Sequence, residues 1–292
     1  MSEQDYVEPA TVGAAVAALA AARGSTRLLA GGTDVLVQLR SGRVRPDLIV
    51  NLRRIPELAG VRSEDGAFVI GAATPCAVLG EHAALARAWP GVIEAATLIG
   101  SKQVQGRASL GGNLCNGSPA ADSVPALIAA GAVALIDGPA GRRECPIEAV
   151  PAGPGRTTLA PAEILVAIRL PARPVRSGDA YLRLIPRTEM DIAVVGAAVN
   201  LTVDAAGVVT AARVALGAVA PTALRVDAAG AALVGSTLDA AAIERMQAAV
   251  RAACRPIDDK RGTIAYRTQV AGVLAGRAAR IAHQRATQGG QA

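Results

Sequence analysis

The sequence predicts an α+β protein of more than one unit, on three observations. Its 292 residues exceed the ~100–200 of a typical single domain. Over the first two thirds, short apolar segments with strand character alternate with alanine-rich helical ones. The stretch "ARPVRSGD" then reads as a linker, followed by a strand pair and two helices. A boundary near Pro174 to Gly178 follows, giving units 1–176 and 177–292.

The elements justify this in order. "VEPATVGAAVAALAAARG" has a turn at Glu8-Pro9, Thr11 as N-cap, an alanine-rich helix and Gly24 as its stop. "TRLLAGG" reads as a short buried strand, "DVLVQLRSG" as a helix, "DLIVNL" as a second strand and "AFVIGAATP" as a third with period-two character. Helical stretches fill Val78 to Leu98, and an irregular Gly/Ser/Asn-rich segment leads to the apolar helix "VPALIAAGA". "AVALIDG" and "EILVAIRLP" read as strands on either side of a Pro/Gly loop. Beyond the linker, "AVVGAAVNLTVDAAGVVTAARVALGAV" is two strands joined by the turn "DAAG", with helices from about Leu238 to Ala253 and Tyr266 to Ala282.

Composition excludes several classes. The longest apolar runs are alanine-rich and far shorter than the ~20 residues of a membrane span. The acidic, polar start "MSEQDYVEPA" lacks the features of a secretory signal, so a cytoplasmic location is expected. Four cysteines stand far apart with no CxxC pair, so any iron–sulfur cluster belongs to another chain. The net charge of +6 comes from scattered arginines without an aromatic-lined groove, which argues against nucleic-acid binding. His82 and His283 are the only histidines, and neither builds a catalytic constellation.

Two glycine loops carry the chemistry. In "LLAGGTDVLVQLR" a strand ends in Gly31-Gly32 and feeds a helix, leaving backbone N–H groups outward with no Cβ to hold a ligand off. Thr33 can donate to a phosphate oxygen, and Asp34 can cap the helix or meet a ribose-type hydroxyl. "SLGGNLCNGSPAADS" repeats the recipe with Ser109, Gly111, Gly112 and Asn113, ahead of a helix begun by Asp122 and Ser123. Neither loop has the spacing of a Rossmann fingerprint or a P-loop. The GxG of "AGPGRTT" lies in a proline-rich setting that favours a plain turn. Two cradles suit a ligand with a central pyrophosphate and a bulky group at each end, such as FAD.

These loops, with "GPGRTTLAPAEILVAIRLP", "YLRLIPRTEMDIAVVGAAVNL" and "IAYRTQVAGVLAGRA", resemble the FAD-binding medium subunit of the molybdenum hydroxylases, the family of xanthine dehydrogenase and carbon monoxide dehydrogenase. The resemblance runs from Val7 to about Ala282. It implies a vanillyl-alcohol-oxidase-type FAD domain of two α+β subdomains, about 1–58 and 59–176, and a smaller C-terminal sheet-and-helix domain. Carried over by position, it implies FAD contacts from Leu28, Leu29, Ala30, Gly31, Gly32, Thr33, Asp34 and Val35. From the second segment it implies Ile99, Ser101, Val104, Ser109, Gly111, Gly112, Asn113 and Cys115, with Asp122 on a sugar or ribityl hydroxyl and Leu165 against the flavin. Arg183 stands where the family has lysine, and Gly106 where it often has asparagine. Cys115 reads as a packing contact and Arg187–Asp191 as an ion pair.

The resemblance also implies partners: a large molybdopterin-binding subunit and a small subunit with two [2Fe–2S] clusters, forming a heterotrimer that can dimerise. Electrons would arrive from the clusters, reach FAD and leave to NAD+ or another acceptor, with no catalytic side chain and no metal in this chain. Thr33-Asp34 looks more like the xanthine dehydrogenase branch. The alternatives are a stand-alone FAD oxidase of the same fold, and a non-enzymatic phosphate-binding scaffold.

Overall fold

The structure, a computed structural model, describes residues 5–288. Its first layer is a parallel sheet of β1 (Asp5–Val7), β2 (Thr26–Leu29) and β3 (Leu48–Asn51), with β3 in the middle. The parallel order requires crossovers, supplied by the helices α1 (Val12–Ala21) and α2 (Val35–Arg40). Thr11 caps α1, its Oγ1 accepting from Ala14 N at 3.2 Å. The helix ends at Ala21, short of the Gly24 expected as its stop. Of β2 only Leu29 is buried, so this strand is an edge rather than a core strand.

The second sheet is antiparallel. Its strands β4 (Val61–Glu64), β5 (Ala67–Gly71), β6 (Val133–Gly138), β7 (Gly141–Pro146) and β10 (Ile164–Leu170) run in the order β4-β5-β10-β6-β7. A small hairpin of β8 (Pro151–Gly153) and β9 (Arg156–Thr157) lies between β7 and β10. The apolar run "ILVAIRL" occupies the central strand, where both faces are covered, and so it shows no alternation. Between β5 and β6 come α3 (Cys76–Glu81), α4 (Ala83–Ala88), α5 (Pro90–Thr97), α6 (Lys102–Gln105), α7 (Leu110–Cys115) and α8 (Ser123–Ala130). The segment too irregular to assign from its sequence therefore holds two helices of four and six residues. Every residue of α8 is buried, and Gly131 ends it in the left-handed conformation at φ 70°.

The last sheet is antiparallel: β11 (Ser177–Leu184), β12 (Val195–Val203), β13 (Val209–Gly217) and β14 (Leu224–Arg225). The helices α9 (Asp227–Ala231), α10 (Ala240–Ala253) and α11 (Ile264–Gln288) follow. β11 was not foreseen, because its first residues lie inside the stretch read as linker. The sheet is covered twice. One face packs on α11, while α5 and α8 of the preceding unit pack on β11, β12 and β13. This is why "VGAAVNL" is buried almost throughout.

The connection between the units is also tied down. Arg173 lies 4.4 Å over the Trp89 ring and pairs with buried Asp179 at 2.8 Å. Glu94 on α5 accepts from Tyr181 N at 3.0 Å and from Arg285 on α11. Among the described residues, no helix is long and apolar enough to cross a membrane.

Candidate functional site

The two glycine loops meet. A Cβ on Gly31 would stand 2.0 Å from the Arg107 carbonyl oxygen, and one on Gly111 would stand 2.5 Å from that of Ala72. Both glycines thus allow backbone to pass against backbone. Gly32 has a different reason to be glycine: its φ is +83°. Arg107 Nε donates to Gly31 O at 3.3 Å and holds the first loop against the second.

Between the loops lies a cleft of about 810 Å³. From the first loop Leu28, Ala30, Gly31, Gly32, Thr33, Asp34 and Val35 line it, while Leu29 turns into the protein interior. From the second segment Ile99, Ser109, Gly111, Gly112, Asn113 and Cys115 line it, joined by Leu165 of β10. Ser101 and Val104 are not among the lining residues; Ser101 Oγ donates to Gln103 Oε1 at 3.2 Å and Val104 packs on the main core. A second, shallower hollow of about 310 Å³ by α1 is lined by Asp137 and Arg142, which pair with each other at 2.7 Å. It offers no comparable set of donors.

The loops differ in what their amides do. Among the described residues no acceptor takes the N–H groups of Gly31, Gly32, Thr33 or Asp34. In the second loop Gly111 N donates to Ala72 O at 3.1 Å, Gly112 N to Ser109 Oγ at 3.1 Å and Asn113 N to Ser109 O at 2.9 Å. The first loop thus presents donors, and the second presents small, close-set backbone. α2, which follows the first loop, and α7, which contains Gly111 and Gly112, have only six residues each, so their dipoles are small beside the amides themselves. Asp34 precedes α2 without a capping bond from its side chain. Solvent reaches its carboxyl, yet crowding by the cleft walls raises its pKa, against a hydrogen bond from Thr33.

Asp122 and Arg183 lie outside the lining residues and bind each other at 2.7 Å, with Tyr181 Oη donating to the second Asp122 oxygen at 2.9 Å. Burial raises the Asp122 carboxyl, with Arg183 opposing the shift, and raises the Tyr181 phenol well above its usual value. This cluster ties the leg of the second loop to β11. Two more bonds support the same leg: Ala218 N to Pro119 O at 2.7 Å, and Ser123 Oγ to Asn113 Oδ1 at 2.7 Å. The Cys115 thiol is pushed up to about 12 by desolvation and holds no thiolate near neutral pH. His82 Nδ1 caps α4 by accepting from Leu85 N at 3.1 Å, and His283 Nε2 meets Gly207 O at 3.0 Å. Arg187 pairs with Asp191 at 3.1 Å, away from the cleft.

Several wall residues went unnoticed in the sequence. The rim Leu159 to Glu163 is held by Glu163, which accepts from Ala160 N at 2.7 Å and pairs with Arg143 at 2.6 Å. Arg27, Arg43 and Val44 complete the wall by the first loop. The rim lies inside "GPGRTTLAPAEILVAIRLP", one of the segments that carry the resemblance, after the turn at Gly153 to Gly155, whose Gly155 N donates to Gly117 O at 2.9 Å. Among the described residues, no aromatic ring lines the cleft.

Comparison with known proteins finds two family matches along the chain. Residues 2–173 match the family described as the FAD binding domain in molybdopterin dehydrogenase. Residues 180–282 match the CO dehydrogenase flavoprotein C-terminal domain. The chain is 36% identical to the carbon monoxide dehydrogenase medium chain of Hydrogenophaga pseudoflava, over 96% of this chain and 97% of that one. It is 39% identical to a putative xanthine dehydrogenase FAD-binding subunit of Escherichia coli, over 68% of each. A solved structure of carbon monoxide dehydrogenase from Hydrogenophaga pseudoflava superposes with a TM-score of 0.93 at 37% identity, covering 98% of this chain and 99% of that one. Quinoline 2-oxidoreductase from Pseudomonas putida gives 0.90 at 26% identity, covering 98% of both chains. With two family domains in order and relatives alike along nearly the whole length, the chain belongs to the FAD-binding medium subunits of the molybdenum hydroxylases.

Proposed function

We propose that this chain takes electrons from the [2Fe–2S] clusters of a small partner subunit and delivers them, through FAD held in the cleft, to NAD+ or another acceptor. The observation that carries the binding step is the run of free amides from Gly31 to Asp34 facing a cleft that Gly31 and Gly111 keep open. The pyrophosphate would sit on those amides and Thr33. Leu28, Val35, Ile99, Leu165 and Cys115 would enclose the rings by aliphatic contact alone. Asp122 and Arg183 lie outside the cleft lining, and their part in this reading is to brace the second loop.

Bound FAD would supply the conversion between single electrons from the clusters and the pair an acceptor takes. The chain's own work is to bind, orient and shield it. In this reading residues 1–176 hold the cofactor and 177–292 brace the second loop. Substrate is oxidised in a large molybdopterin-binding subunit, and the heterotrimer works in the cytoplasm.

The test is purification with the partner chains. FAD, molybdenum and iron should co-purify, and substrate should bleach the flavin absorbance. Clusters that reduce beside a flavin that stays oxidised would overturn the electron route.

A further inference from the structure

We propose that Arg27 and Arg43 form a cationic pair in the cleft that neutralises the diphosphate of the bound dinucleotide and so selects FAD over an uncharged flavin. The proposal rests on the FAD reading above.

Among the described residues, four of charged type are in the cleft lining: Arg27, Asp34, Arg43 and Glu163. Glu163 is neutralised by Arg143, with bonds of 2.6 and 2.7 Å. Arg27 donates only to the carbonyl of its neighbour Thr26, at 3.0 Å, and neither it nor Arg43 has an acidic partner among the described residues. On the second sheet Arg62 pairs with Glu64, Arg142 with Asp137, Arg143 with Glu163 and Arg169 with Glu144. Two arginines without an acidic partner in one lining leave that wall with a local excess of positive charge. Arg27 lies on β2, between the lining residues Thr26 and Leu28. Arg43 sits in the turn after α2, which is closed by Arg43 N to Gln38 O at 3.0 Å.

The chemistry needs them. The free amides of Gly31 to Asp34 offer dipoles without net charge, and the Asp34 carboxylate repels an anion. A diphosphate brings two negative charges, which guanidinium groups meet with paired N–H donors. With no aromatic ring in the cleft, stacking on the flavin or adenine cannot replace them.

The experiment uses the full chain freed of flavin, titrated with FAD and with riboflavin across a series of KCl concentrations, for wild type, Arg27→Gln, Arg43→Gln and the double variant. The double variant should raise the Kd for FAD at least tenfold and flatten its dependence on salt. Its Kd for riboflavin should stay within twofold, and Arg27→Lys with Arg43→Lys should restore the salt dependence. If wild type binds FAD while the double variant keeps its affinity and salt slope, the cationic pair is overturned and the FAD reading stands. Equal weakening toward riboflavin overturns it too, as general damage to the cleft. A wild-type chain that binds no FAD overturns the FAD reading itself.

Discussion

In the first glycine loop the amides of Gly31 to Asp34 have no acceptor among the described residues, whereas in the second Gly111, Gly112 and Asn113 each donate within the protein. The first is held from one side by Arg107, and the second is braced from behind by Asp122, Tyr181 and Arg183. The same sequence recipe, small residues running into a short helix, has therefore produced a donor surface in one place and a packed wall in the other. Gly-Gly before a helix marks close backbone approach. It does not say whether the approaching group is a ligand or another part of the chain.

The largest test of this contrast is Asp122→Ala, which leaves Arg183 and Tyr181 buried without their partner. Denaturant unfolding should show a loss of about 3–5 kcal/mol, and a loss under ~1 kcal/mol would mean that nothing braces the second loop. Asp122 also brings a pH dependence. Its carboxyl is raised in the folded chain, so the stability it contributes is full below the unfolded value of about 4 and is lost as pH rises through the folded value. Asp122→Asn should remove that slope, so wild type should lose stability relative to it between acidic and neutral pH.

Next in size is Gly31→Ala, whose Cβ meets a backbone oxygen that cannot swing away. It should cost about 3 kcal/mol, the upper part of the range for overpacking. Gly112→Ala, which meets only the Ser109 Oγ at 3.1 Å, should stay within about 0.5 kcal/mol. Equal thermal midpoints for the two variants would show that the loops do not pack as described.

Smaller again is a matched pair. Gly32→Ala forces a Cβ into the left-handed region at a cost of roughly 1–2 kcal/mol, and turning the free amides should lower the flavin content on purification. Ser109→Ala removes the bond to Gly112 N for about 1 kcal/mol, but should keep its flavin. If Ser109→Ala lost as much flavin as Gly32→Ala, the second loop would be a donor site after all.

The sequence revealed the strand–glycine–helix order of the first loop, the strands of "AVALIDG" and "EILVAIRLP", and the last two helices, because each rests on local periodicity or a local turn residue. It hid what depends on distant partners. β11 lies in a stretch whose Pro, Arg and Gly content suggested a linker, yet Ser177 to Leu184 pairs along its whole length with β12. Arg27 and Arg43 are ordinary surface arginines by pattern, and only folding places them in one wall. Whether a loop amide is free also escapes local pattern, since the acceptor of Gly111 N is Ala72, far back in the chain.

The wholly buried helix α8 has a consequence for how the chain is made. It is covered in part by β12 and β13, which leave the ribosome only after it. A nascent chain that has reached the end of β10 therefore shows an apolar helix surface to the cell until the last sheet arrives. Stalled chains ending at residue 176 should bind chaperone more strongly than chains extended to residue 292, in which β12 and β13 have left the ribosome, a difference measurable by cross-linking on purified ribosomes.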